Sequence, residues 1–193
     1  ELRELCDQND TLLILDEVQS GVGRTGKMWG YENLGIEPDA FTLAKGLGGG
    51  HPIGALLVNK KANIFNPGDH ASTFGGNPFA CRAAITVLEE IKRRNLLQNV
   101  ISRGNQIEEG LSQMAIDFPH IIKGRRGMGL LQGIVLQENS IDLKSVTSKA
   151  FDNGLLIVAA GTNVIRIVPP LTISKNETQQ LLKKLYSIFK DFC

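Results

Sequence analysis

The sequence predicts two joined parts: an α/β front whose strands can lie parallel in a helix-covered sheet, and a smaller α+β tail built on a mostly antiparallel sheet. Two observations carry that expectation. Ahead of Asn77, apolar runs of strand length are separated by glycine-rich stretches; beyond Pro119, strand-like and helical patterns alternate closely.

ELRELCDQN (1–9) reads as a short amphipathic helix, and TLLIL (11–15) as a buried strand that carries Asp16 and Glu17 at its C-terminal tip. VQSGVGRTGKMWGYENLG (18–35) holds too many glycines for a regular element. DAFTLAK (39–45) is a second strand-like run, GLGGGHP (46–52) a loop, and IGALLVN (53–59) a third strand. KKANIF (60–65) suggests a helical turn, and NPGDHASTFGGNP (66–78) a polar loop. Asn77 as N-cap and Pro78 at N1 then open a long helix through Val100, and ISRGNQIEEGLSQMAIDF (101–118) continues as a second helix or a kinked extension. The tail reads as β over 121–137, helix over 142–154, and strands over 155–160 and 164–169. A last helix over 174–192 is opened by a Ser174/Glu177 capping box. Residues 1–97 are expected to form part of one domain and residues 98–193 a second.

Composition narrows the class of function. The 193 residues carry 21 Lys+Arg against 20 Asp+Glu, and 42% are hydrophobic, so the chain can bury a core and presents no basic footprint for nucleic acid or an anionic membrane. The long uncharged stretch at 154–165 is far short of the roughly 20 apolar residues of a spanning helix. Cys6, Cys81 and Cys193 are dispersed and show no CxxC, which favours a reducing, cytoplasmic setting. His51, His70 and His120 are equally scattered, so no metal is expected. The chain opens within a helical pattern and without an initiator Met, which reads as a fragment.

Four places could carry chemistry. Asp16 ends an apolar strand where open α/β sheets bind ligands; it could hold a cation, or with Glu17 simply cap the next turn. Lys45 enters a run of glycines, and its amine could serve as a nucleophile toward an aldehyde or remain an ordinary solvated lysine. Neither GxGxxG nor GxxxxGK[ST] is present, and the lysine precedes the glycines, which counts against a phosphate loop. Ser72 and Thr73 stand beside Gly75 and Gly76 before a helix, as an anion cradle or a plain loop. Arg166 sits between Ile165 and Ile167, on a solvated strand face or as a fork for a carboxylate.

Taken in this order, LDEVQSGVGRTG (15–26), LAKGLGGGHPIGALL (43–57), HASTFGGNP (70–78) and IRIVPPL (165–171) resemble the class III, ornithine-type, pyridoxal phosphate aminotransferases. The resemblance covers nearly the whole chain and only the second half of a typical member. It implies the aspartate aminotransferase-like, type I transferase fold, with residues 1–97 in the pyridoxal phosphate-binding large domain and 98–193 as the small domain. It also implies a homodimer that binds small molecules.

By that resemblance Lys45 is the lysine that condenses with the aldehyde of pyridoxal 5'-phosphate. Asp16 pairs with the ring nitrogen, Val18 packs on a ring face, Gln19 reaches the phenolic oxygen, and Glu17 belongs to the same cofactor loop. Thr73 binds the phosphate of the other subunit's cofactor, Ser72 touches substrate, and Arg166 grips a carboxylate of glutamate or 2-oxoglutarate. The implied reaction moves an amino group from N2-acetyl-L-ornithine to 2-oxoglutarate, giving N-acetyl-L-glutamate 5-semialdehyde and glutamate, with Lys45 as proton shuttle. Ornithine, succinylornithine or 4-aminobutyrate are the alternative donors, and a non-catalytic scaffold of the same fold is the alternative of another class. Typical members carry a phosphate loop, a ring-stacking aromatic residue and a second substrate arginine upstream of the matched segment, so the isolated chain is expected to be inactive. His51 stands where relatives often have Phe or Tyr.

Overall fold

In the computed structural model, which describes residues 1–193, helix α1 (Leu2–Gln8) leads through a turn into strand β1 (Ile14–Asp16). The strand is shorter than its apolar run because Asp39 ties down its entrance. Leu13 N–H donates to Asp39 Oδ2 at 2.8 Å, and the Asp39 amide donates back to the Leu13 carbonyl at 2.9 Å. Arg3 of α1 and Asn59, just beyond the third strand, also donate to the Asp39 carboxylate, at 2.7 and 2.8 Å. The Leu13 amide first, then Arg3 and Asn59, hold the Asp39 carboxyl far below the usual carboxylate range.

The chain separates into two units, Glu1–Leu97 and Gln98–Cys193. In the first, β1, β2 (Ala40–Leu43) and β3 (Ala55–Val58) lie side by side in that order. β1 and β2 run parallel, but β3 runs antiparallel to β2, which departs from the expected parallel sheet. The reason is the connection: residues 44–54 hold only a 3-10 turn, whereas a parallel return needs a crossover, usually a helix. The apolar run of β1 is not buried on both faces either. Ile14 is 59% exposed and Leu56 50% exposed on one face, while the other carries Phe41, covered by Trp29 and Tyr31 with ring centroids 5.4 and 5.2 Å away. Trp29 is the N-cap of a 3-10 helix, Gly30–Leu34, that contains Tyr31 and lies inside the stretch read as irregular.

Helix α2 (Pro78–Arg93) starts as predicted, with the Asn77 side chain accepting from Ala80 N–H at 2.9 Å. It stops earlier than predicted: Asn95 takes a left-handed conformation (φ 49), which terminates the helix before α3 (Leu96–Asp117) begins. The helical turn expected over 60–65 is a turn confined to 60–62.

The second unit contains a hairpin of β4 (Ile122–Met128) and β5 (Leu131–Leu136), then α4 (Leu143–Asp152), β6 (Val158–Ala160), β7 (Val164–Ile167) and α5 (Lys175–Lys190). The sheet order is β4-β5-β7-β6, antiparallel throughout. Ile134, Leu136, Ile165 and Ile167 turn one sheet face into a core with Ile107 and Leu111 of α3, Val146 of α4, and Leu185 and Phe189 of α5. Each such side chain contributes about 1.5–3 kcal/mol by leaving water. The predicted capping box is present: Ser174 Oγ accepts from Glu177 N–H at 3.2 Å, and Ser174 N–H donates to Glu177 Oε2 at 2.8 Å. No helix is long and apolar enough to cross a membrane.

Candidate active site

Asp16 ends β1 on the exposed sheet face, directly opposite Thr42 of β2. Its Oδ1 accepts from Val18 N–H at 2.9 Å and from the Thr42 hydroxyl at 3.3 Å, so the carboxylate is steered from both its own loop and the neighbouring strand. Strand alternation explains this: Asp16 and Thr42 are register partners and therefore share a face.

Glu17, one residue on, turns to the opposite side and is only 4% exposed. Its two carboxyl oxygens accept from Gly30 N–H at 2.6 Å and Tyr31 N–H at 2.7 Å, which satisfies the open amides at the start of the 3-10 helix. Both oxygens are thus committed within the loop, and the side chain closes 17–31 into a ring instead of offering itself at the sheet edge. Arg24 in the same loop has its guanidinium pushed down from its ordinary value by burial, and burial, with Glu32, Glu37 and Glu17 nearby, pushes the Tyr31 phenol up.

Lys45 is not the last residue of a strand, as the apolar run suggests, but the first of the 3-10 turn Lys45–Gly48, which packs against α2. Its φ of 45 is left-handed. A residue with a Cβ there costs about 1–2 kcal/mol, a strain typical of sites where a side chain must be held in a set place. β1 and β2 are parallel neighbours, so Asp16 and Lys45 both emerge at the carboxyl edge of the same sheet, with Lys45 exposed.

Ser72 and Thr73 stand on the exposed loop before α2. Ser72 Oγ accepts from Gly75 N–H at 2.9 Å, so one amide of the expected anion cradle is already engaged by the loop itself. His51 packs edge-on against Phe79, with ring centroids 4.8 Å apart, and so fills an aromatic place. Arg166 lies in the second unit, on β7, where Ile165 and Ile167 face the core and Arg166 faces the other way, into a cleft of about 290 Å³.

A family model for class III aminotransferases matches residues 1–189. The chain belongs to the class III aminotransferases. This aminotransferase chain is 71% identical, over 99% of its length, to an acetylornithine aminotransferase of Prochlorococcus marinus subsp. pastoris, of which it covers 46%. It is 50% identical over 96% of its length to an acetylornithine aminotransferase of a Nostoc species, covering 44% of that protein. Among solved structures it resembles an ornithine aminotransferase from Plasmodium yoelii (TM-score 0.94, 32% identity, 100% of this chain and 51% of that one). It also resembles an N-acetylornithine aminotransferase from Stenotrophomonas maltophilia (TM-score 0.86, 36% identity, 99% and 50%). The chain spans about half the length of the curated relatives it matches.

Class III aminotransferases are pyridoxal phosphate enzymes, and the donor set here suits that group: a primary amine for an aldehyde, an oriented carboxylate for a ring nitrogen, an amide and hydroxyls for oxygens. One residue of this candidate site, and the way another acts, escaped the sequence reading. Thr42, which steers Asp16, was hidden because register is not visible in a strand of AFTL. The anchoring role of Glu17 was hidden because its amide partners lie 13 and 14 residues away.

Proposed function

We infer that the full-length protein carrying this chain is a pyridoxal phosphate aminotransferase that moves the amino group of N2-acetyl-L-ornithine to 2-oxoglutarate. The observation that carries this reading is Lys45, strained into a left-handed turn at the sheet edge where Asp16 also emerges, in a chain matched to class III along 1–189. Relatives that are named acetylornithine aminotransferases support the choice of donor.

When bound, pyridoxal phosphate supplies an aldehyde and an electron-accepting ring. Lys45 Nζ would hold the cofactor aldehyde, and its amine would carry a proton to and from the substrate carbon in both half-reactions. The Asp16 carboxylate keeps a proton on the ring nitrogen, with Val18 N–H and Thr42 holding it in place. Val18 covers a ring face and Gln19 bonds the phenolic oxygen, while Glu17 positions their loop without touching the cofactor. Thr73 binds the phosphate in a partner subunit of a homodimer, Ser72 contacts substrate, and Arg166 holds a carboxylate of glutamate or 2-oxoglutarate. Residues 1–97 are then part of the cofactor-binding large domain and 98–193 the small domain, in a cytoplasmic enzyme.

Turnover of a donor panel with 2-oxoglutarate tests the substrate. Acetylornithine is expected to give the highest kcat/KM, ahead of ornithine, succinylornithine and 4-aminobutyrate. A clear preference for any of the other three overturns the assignment of donor.

A further inference from the structure

The cleft that Arg166 faces holds a second guanidinium two strands away on the same row of the sheet. Arg126 of β4 is paired with Gly133 of β5, and Gly133 in turn with Arg166 of β7, so the three residues form one line across adjacent strands and share a face. Strands lie about 4.8 Å apart, which roots the two arginines about 10 Å from one another with only a glycine between them. Gly133 is required for that gap. A Cβ there would come within 3.0 Å of Val164 Cγ1 and 3.6 Å of Arg126 Cγ, closing the slot over which the two side chains run.

The preceding residue shows that the placement of Arg126 is distinct. Arg125 turns to the helix side, where it pairs with Glu108 of α3 and donates to Ser112 Oγ at 3.3 Å. Arg126 stays exposed on the cleft side. The cleft of about 290 Å³ is lined by Arg126, Gly133, Arg166 and the apolar Leu131, Ala160 and Val164, and no Asp or Glu lines it. Two planar guanidinium forks on one face of a small, partly apolar hollow are suited to carboxylate oxygens.

We propose that Arg126 is a second carboxylate-binding residue of this aminotransferase, sharing with Arg166 the carboxylate end of a dicarboxylate substrate seated over Gly133. The proposal rests on the reading of Arg166 as a carboxylate ligand and adds to it an affinity role for Arg126: two forks hold that carboxylate more tightly than one.

The test uses the full-length protein with Arg126→Gln, Arg126→Lys and Arg166→Gln, and titrates each calorimetrically with glutarate, an unreactive five-carbon dicarboxylate. Arg126→Gln is expected to weaken glutarate about tenfold and to raise KM for 2-oxoglutarate more than it lowers kcat, with Arg126→Lys recovering part of the affinity. Because Arg126 is exposed on a sheet surface, these changes leave the core intact. Unchanged glutarate affinity in Arg126→Gln beside a loss in Arg166→Gln overturns the proposal alone. Unchanged affinity in both overturns the reading of Arg166 as well.

Discussion

At the residue scale, two buried or half-buried carboxylates organise the first unit, and each makes a separate prediction. Glu17 accepts two backbone amides at the start of a 3-10 helix, and charge-assisted bonds of this kind are worth about 1.5–3 kcal/mol each. Glu17→Ala leaves both amides without their acceptor and is expected to lower stability by about 2–4 kcal/mol, read as a drop in urea midpoint; an unchanged midpoint contradicts the anchoring role. Asp39 has its folded carboxyl held far below the ordinary value by Leu13 N–H, Arg3 and Asn59. A depressed acid contributes stability that is present above the unfolded value near pH ~3.9 and is lost as pH falls below it. The stability gap between the parent protein and Asp39→Asn is therefore expected to be full at pH 7 and to shrink below pH ~4; a gap that persists at low pH assigns it to something other than the charge. Asp16 and Lys45 were legible as candidate site residues because each follows an apolar run at its carboxyl end. Glu17 was not, because whether a carboxylate points to the sheet edge or back into its own loop depends on where a chain segment thirteen residues on returns.

At the scale of elements, periodicity and caps placed the starts of α2, α4 and α5 well, since Asn77, Asp142 and Ser174 all cap as their residue types suggest. Strand direction was less legible. A run such as IGALLVN carries no mark of whether it pairs parallel or antiparallel, and the decision rested on a connection too irregular to form a crossover helix. Gly104 illustrates the same limit within a helix. Helix propensity alone makes it a weak point of α3, yet a Cβ at that position would come within 2.7 Å of the Gly129 carbonyl oxygen at the tip of the β4–β5 hairpin. Intrinsic propensity favours Gly104→Ala by about 1 kcal/mol, whereas displacing rigid backbone costs about 1–3 kcal/mol. The packing term is expected to win, and the variant to unfold at lower urea; a raised midpoint contradicts the close approach of helix and hairpin.

At the scale of the whole molecule, the proposed function divides its chemistry between the two units: it assigns cofactor handling to 1–97 and carboxylate handling to 98–193. The order of motifs made the family legible, because each motif sits at a strand end or loop that constrains few alternatives. Donor choice was less legible, because the chain spans about half of its relatives and a substrate pocket is assembled from more than its motifs. The central claim is that the amine of Lys45 holds the cofactor aldehyde in the full-length protein. Borohydride reduction followed by peptide mass spectrometry tests it most directly. The account predicts a yellow protein that loses its colour on reduction and carries one pyridoxyl group on Lys45, with no label in Lys45→Ala; a pyridoxyl group on another residue, or none on a folded protein, contradicts it.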